Sequence, residues 1–355
     1  KNSYSNSGWY KSSPPKSTDV ARLQRSRYYL QLFGSLNLRR FFNLLLVESG
    51  FVISRLIRKP VVLGKPWAAS IEPTTSCNLR CPECPTGMQS LSRDKGSMNM
   101  DVYSQVLQKL SPHLLHLTLY FQGEPMLNPR FSEMVKLARK QNIFVASSTN
   151  GHFLTQNNVN EIIKSGLSHL VISLDGLDQE TYEKYRVNGN FQTVVEGIHR
   201  LIAARKALKS KAPFIELQFL VMRHNEHQLG QVGEFARNAG VDKFSFKTAQ
   251  VYNFDKAFSV IPTLKSKSRY RQLPDGTWVM AKKIRNRCHR IWSSIVVTWD
   301  GKVVPCCYDK NADHQTGNLL EDSLKTAWKN QLSASFRKTV LTDRTQIDIC
   351  RNCGE

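Results

Sequence analysis

Apolar residues change their spacing several times along the chain. Between residues 67 and 252 they gather into six short runs, at 67–74, 115–121, 144–150, 169–175, 214–222 and 243–251, each of strand length. Between the runs the spacing turns helical, near 101–111, 130–141, 156–166, 178–208 and 226–239. Gly166 and Gly240 stand where two of these helices should end, because glycine enters the left-handed cap conformation without steric cost. Strands alternating with helices predict βαβ units on a parallel sheet. Six units are too few to close an eight-stranded barrel. The predicted fold is therefore α/β, a partial (β/α)6 TIM-like barrel with its chemistry at the carboxyl ends of the strands.

The flanks read differently. Residues 1–20 are rich in Ser, Lys and Pro and predict a loose tail. Residues 21–60 predict helix, with apolar positions at Leu30, Leu32, Phe33, Phe41, Phe42 and Leu44 to Leu46. The expected arrangement is a helix packed on its own domain with its basic side in water, favoured over one lying on an anionic membrane. Residues 253–287 form a basic connection. After it, Asp300-Gly301 between two apolar stretches predicts a hairpin over Ser294 to Pro305, and Leu319 to Gln331 predicts a helix. The chain thus divides into a basic helical extension (1–60), the barrel (61–252), the connection (253–287) and a small C-terminal module (288–355).

Composition narrows the function classes. With 41% hydrophobic residues among 355, the chain can bury a core and is not a mostly disordered protein. Fifty Lys and Arg against 28 Asp and Glu give a net charge of +22, which favours anionic partners without choosing between nucleic acid, headgroups and an acidic substrate. Residues 1–60 alone hold 11 Lys and Arg against 2 acids. No run of 18 apolar residues suits a spanning helix, and no signal-peptide pattern opens the chain. Eight cysteines fall in two clusters rather than scattered, which favours metal over disulfides and a reducing, cytoplasmic setting, with peripheral membrane contact through the basic extension as a further partner.

The first cluster, Cys77, Cys81 and Cys84, has the spacing C-x3-C-x2-C immediately after the first predicted strand. Structural zinc normally takes four ligands, and no fourth Cys or His lies nearby. Three thiolates suit a four-iron cluster with one iron left open. This motif resembles the signature of the radical S-adenosylmethionine (SAM) superfamily, and the other strand ends agree over roughly 67–252. Gln122-Gly123-Glu124-Pro125 is similar to the family motif that holds the methionine amino group. Asn150, in Ser148-Thr149-Asn150-Gly151, falls where ribose contacts are usual. Ser173 and Arg186 resemble the pair that binds the SAM carboxylate in sulfatase-maturase-like members. The residue before the third cysteine is Glu83, where the family usually has an aromatic. The resemblance implies a [4Fe–4S] cluster, SAM, reductive cleavage to a 5′-deoxyadenosyl radical and hydrogen abstraction from a substrate. Glu124 then offsets the ammonium and Arg186 pairs with the carboxylate.

The second cluster offers Cys288, Cys306, Cys350 and Cys353 as four ligands, with Cys307 to spare. Cys288, Gly301 and Cys306 resemble the opening of the SPASM domain in its shortened, one-cluster Twitch form. That resemblance implies a second, auxiliary [4Fe–4S] cluster with an electron-accepting role. A four-cysteine zinc site is the alternative. Lys247 and Asp309 are candidate catalytic bases from strand-end and post-cysteine positions.

The expected activity is oxidation of a small molecule such as a sugar or cyclitol alcohol, with peptide or protein maturation as the alternative. A flavodoxin- or ferredoxin-type protein is the expected electron donor, and no specific nucleic acid is expected. The rival from another class is a basic nucleic-acid- or membrane-binding protein with structural zinc.

Overall fold

The six apolar runs form parallel strands β1 (Ala68–Ile71), β2 (His116–Leu119), β3 (Phe144–Thr149), β4 (His169–Ser173), β5 (Phe214–Val221) and β6 (Lys243–Thr248), paired in that order. The computed structural model describes residues 28–252, 254 and 257–354; the tail expected over 1–20 lies outside them. Helix α1 (Leu38–Ile57) precedes the sheet. The crossovers carry α2 (Met100–Leu110), α3 (Phe131–Lys140), α4 (Gln156–Ser165), α5 (Gln179–Glu183), α6 (Phe191–Ala207) and α7 (Leu229–Ala239). Asn99, Thr155, Asp178 and Asn190 each accept a backbone N–H at a helix start, and Gly166 and Gly240 end α4 and α7 at φ +77° and +75°. Alternate strand residues such as Ile71, Leu117, Val145, Leu170 and Ile215 are fully buried or nearly so, in one core with the apolar stripes of these helices. The fold is the partial barrel that the alternation predicts.

The C-terminal module continues the same sheet. Strand β9 (Ser294–Val297) pairs parallel with β1, Ala68 opposite Ser294, and β10 (Lys302–Val304) and β11 (Gly317–Asn318) follow antiparallel. The sheet therefore runs β11-β10-β9-β1-β2-β3-β4-β5-β6. The turn at Asp300-Gly301 is the expected one, with Gly301 at φ +86°. The connection holds a small hairpin of β7 (Tyr270–Gln272) and β8 (Trp278–Met280). The helix expected over 319–331 is shorter, α9 (Leu324–Lys329), after a turn of helix α8 (Arg290–Ser293); α10 (Gln331–Asp343) follows it.

Helix α1 packs on its own domain with Arg39 and Arg55 in water, as expected, but most of its apolar residues are not on the buried side. Its buried positions are Arg40, Asn43, Val47, Gly50 and Ser54, whereas Leu38, Phe42, Leu45 and Leu56 are exposed. The polar side faces inward because the neighbouring loops present unpaired backbone groups. The Arg40 guanidinium donates to the carbonyls of Ser35, Asn142, Ser111 and Gln141 at 2.6–3.1 Å. Asn43 exchanges two bonds with the Lys65 backbone, and Ser54 Oγ accepts from Val61 N at 2.7 Å. Burial is offset by these bonds, although the Arg40 Nε itself has no partner.

Candidate active site

β1 runs into the loop that carries the first cysteines. Glu72, at the strand's end, is fully buried and receives a two-pronged ion pair from Arg93 at 2.5 and 2.8 Å. Beyond it, Gly123 sits at φ +72°, where an added Cβ would lie 2.5 Å from the Thr74 carbonyl. Only glycine lets the strand-two loop approach the cysteine loop this closely. Cys77, Cys81 and Cys84 pack in one apolar cluster with Leu79, Tyr185 and Met222, under Tyr270, Trp278 and Met280 of the connection hairpin. Burial pushes the Cys81 thiol up to about 11, against the pull of the Arg186 charge.

The predicted SAM contacts converge around these thiols. Glu124 is buried, and its carboxylate accepts from Asn150 N at 2.7 Å, Thr149 Oγ1 at 2.8 Å and Met126 N at 3.2 Å. Burial raises its pKa to about 7 despite these bonds. Pro125 begins the short helical turn that Glu124 caps. Gln122 is turned into the loop, its Oε1 accepting from Thr86 at 3.3 Å. Asn150 donates to Asn78 Oδ1 at 2.8 Å and to Cys77 Sγ at 3.9 Å. Arg186 donates from Nε to Asp175 at 2.6 Å, and its Nη1 lies 3.9 Å from Cys81 Sγ. Ser173 stands at the end of β4, opposite Gln218.

Glu83, the departure from the family pattern, accepts from Tyr252 N at 2.8 Å. Asp175 is the positioning residue that the sequence reading passed over, although Ser173-Leu174-Asp175-Gly176 places it at a strand end. It accepts from Leu220 N at 2.7 Å and holds Arg186 in place.

The second cysteines gather elsewhere. Cys288, Cys306, Cys350 and Cys353 line one small pocket, whose other walls include Ile291, Phe336, Ile349 and Arg344. Four thiols on an apolar cavity suit a fully ligated cluster. Among the described residues no three His, Cys, Asp or Glu side chains converge as they would on a single metal ion. Cys307 instead lines a separate cavity of about 320 Å³ with Ser70, Thr118, Val296 and Arg290, whose Nη1 is 3.4 Å from its sulfur. His289, next to Cys288 in the chain, pairs with Glu48 at 2.8 Å.

The two thiol groups are tied together. Asn352, between Cys350 and Cys353, donates to Val251 O at 2.8 Å and accepts from the Tyr270 hydroxyl. Arg269 donates to Thr248 at the end of β6 and to Tyr308 after the auxiliary cysteines, at 3.4 and 3.1 Å. The two candidate bases stand apart from this junction in different ways. Asp309 is fully buried and spends both oxygens on the Asp313 and His314 backbone, at 2.8 and 3.0 Å. Lys247 is exposed on β6, the sheet's outer strand. Lys310 is the cation that sequence reasoning missed. Its ammonium lies 5.0 Å over the Tyr252 ring, within electrostatic range of both Cys84 and Cys307, and burial lowers its pKa.

The radical SAM superfamily model matches residues 71–214, and the SPASM model, an iron–sulfur cluster-binding domain, matches residues 288–354. A tungsten-containing aldehyde ferredoxin oxidoreductase cofactor-modifying protein of Pyrococcus furiosus is 25% identical over 314 residues, 80% of this chain and 86% of that protein. The mycofactocin maturase MftC of Mycobacterium tuberculosis is 24% identical over 311 residues, 82% of this chain and 76% of that one. The structure of Streptococcus suis SuiB bound to S-adenosylmethionine superposes with a TM-score of 0.61 at 13% identity, over 82% of this chain and 73% of that chain. No helix among the described residues is long and apolar enough to cross a membrane. The thiol sets fit the groups these families carry: three cysteines, Cys81 buried and Cys77 and Cys84 half-buried, for the SAM-binding [4Fe–4S] cluster, and four more for an auxiliary one. The chain is an enzyme of the radical SAM superfamily with a C-terminal SPASM-type iron–sulfur domain.

Proposed function

We propose that this enzyme modifies a peptide or protein by withdrawing a hydrogen atom from a side chain or backbone carbon, with an auxiliary cluster, which Cys288, Cys306, Cys350 and Cys353 would hold, as the group that would supply an acceptor for the second electron. The observation that carries the reading is the junction of the two cysteine groups through Asn352, Tyr270 and Arg269, which ties the auxiliary cysteine loop to the chain just after β6. The peptide class is supported by the relatives. MftC is named a maturase, and the PqqA peptide cyclase of Gluconobacter oxydans is 26% identical over 191 residues, 53% of this chain and 51% of that protein. The one-cluster spacing alone favours a small alcohol; the relatives tilt the balance to its alternative.

When bound, SAM and the first cluster supply reductive cleavage and a hydrogen-abstracting fragment. The chain's own residues bind and orient. Cys77, Cys81 and Cys84 hold the first cluster. Glu124 receives the methionine ammonium on a carboxylate already fixed by three N–H and O–H donors. Arg186, aimed by Asp175, pairs with the carboxylate, and Ser173 and Asn150 complete the polar ring. Cys288, Cys306, Cys350 and Cys353 hold the auxiliary cluster. Lys310 is the best-placed group to accept a proton, since Asp309 is spent on a turn and Lys247 lies in solvent. The electron source we assign is a flavodoxin- or ferredoxin-type protein in a reducing cytoplasm, in keeping with eight free thiols.

The test uses anaerobically reconstituted enzyme with dithionite and SAM. Peptide and small-metabolite pools from cells grown in deuterated medium are supplied separately. Mono-deuterated 5′-deoxyadenosine with the peptide pool supports the reading. Deuterium transfer from the metabolite pool alone returns the enzyme to small-molecule oxidation.

A further inference from the structure

Helix α1 turns its apolar side away from the body of the protein. Leu38 and Leu56 are 77% and 78% exposed, and Phe42, Leu45, Val52 and Ile57 are exposed along the same side. At 3.6 residues per turn Leu38, Phe42, Leu45, Val52 and Leu56 fall within one arc of about 80°, with Ile57 at its border, opposite the buried Arg40, Asn43 and Ser54. The orientation is fixed rather than frayed. Rolling the helix over to hide its apolar side would strand the four carbonyls that Arg40 satisfies, at Ser35, Ser111, Gln141 and Asn142. An outward-facing apolar stripe along a 20-residue helix, about 30 Å long, is larger than a soluble surface normally leaves in water.

We propose that this face docks on an anionic lipid bilayer, with α1 lying flat in the headgroup region. Charge selects the occupant. Arg39 and Arg55 project from opposite borders of the apolar arc, and Arg58 and Lys59 follow at its end, all four exposed. The one acid of the helix, Glu48, is committed to His289. Exposed cations flanking an apolar stripe match an interface in which the stripe meets acyl chains and the cations meet phosphates. A second copy of the chain suits the face less well. A two-fold contact through α1 would bring together two segments that each carry 11 Lys and Arg against 2 acids over residues 1–60. With no spanning helix among the described residues, the association would be peripheral.

The experiment is co-sedimentation of the full-length, anaerobically reconstituted protein with phosphatidylcholine vesicles, with and without added phosphatidylglycerol, at low and high salt. Sedimentation velocity of the protein alone runs beside it. The expected result is binding to the anionic vesicles that weakens with salt. The triple variant Phe42→Gln, Leu45→Gln, Leu56→Gln should lose at least roughly tenfold in affinity, with its iron content and circular dichroism unchanged. A second variant, Arg55→Gln with Lys59→Gln, should lose roughly fivefold per cation on anionic vesicles only. Absence of vesicle binding, or binding that neither variant weakens, overturns the proposal. So does a solution dimer that the triple variant dissolves without any vesicle binding, because the face then belongs to a second copy. None of these readouts depends on the substrate, so failure here leaves the peptide reading untouched.

Discussion

Cys306 and Cys307 are consecutive in the chain and face different spaces. Cys306 shares a cavity with Cys288, Cys350 and Cys353, while Cys307 lines the larger cavity beside Arg290. They follow β10 in the bend and turn that lead away from the strand. Replacing Cys306 with Ala should therefore remove about four irons per chain, and replacing Cys307 with Ala should remove none. Iron and sulfide analysis of the two reconstituted variants distinguishes them. Equal loss from both would mean that the ligand set is wrong.

Asp175 should matter to SAM without touching it. It fixes the Arg186 guanidinium at 2.6 Å and is itself anchored by Leu220 N. Asp175→Asn keeps the size but weakens the charge-assisted bond, so SAM should bind about tenfold more weakly. Arg186→Lys should be worse, since an ammonium cannot keep both the Asp175 bond and a two-pronged carboxylate pair. Equilibrium dialysis with labelled SAM measures both, and the iron content of the first cluster should not change.

Glu124 gives SAM binding a pH dependence. Burial places its pKa at about 7 before the ligand arrives, and an ammonium partner favours the ionised form. Affinity should be flat above that value. It should fall by about tenfold per pH unit below it, because a proton must then be released on binding. Glu124→Gln should bind weakly at every pH and lose the slope. A wild-type profile level between pH 6 and 8 would remove Glu124 from the ammonium site.

Much of this was legible in the sequence. The six apolar runs correspond closely to β1 through β6, because strand alternation and helical spacing are local properties. The thiols and polar strand ends were legible because chemistry demands those residue types at those spacings. Two things were not. The α1 pattern shows that one side is apolar but not which side is buried, a choice made by distant carbonyls at Ser111, Gln141 and Asn142. The junction residues Asn352, Arg269 and Lys310 are ordinary polar residues whose roles exist only after the hairpin and the C-terminal loop meet.

Acid stability should depend on one barrel carboxylate. Burial disfavours the charge of Glu216, but bonds from His169, Ser245 and Lys243 outweigh it and hold the pKa at about 2, below the usual 4.5. A depressed carboxylate stabilises the fold above pH 4.5, and that contribution is lost as pH falls from there towards 2. Glu216→Gln should cost roughly 1–3 kcal/mol at neutral pH, and its stability should fall less steeply between pH 5 and 2. Urea unfolding of the apoprotein at several pH values reads the difference.

The pairing of β1 with β9 sets a timetable for synthesis. Ala68 and Ser294 meet although 226 residues separate them. At ribosomal rates the first cysteine loop therefore waits on the order of tens of seconds before the strand that closes its flank has been made. Throughout that interval β1 offers a bare edge and three unguarded thiols to whatever else is in the cell. Iron delivered before the last strand emerges would meet the three thiols with β9 still missing from their flank.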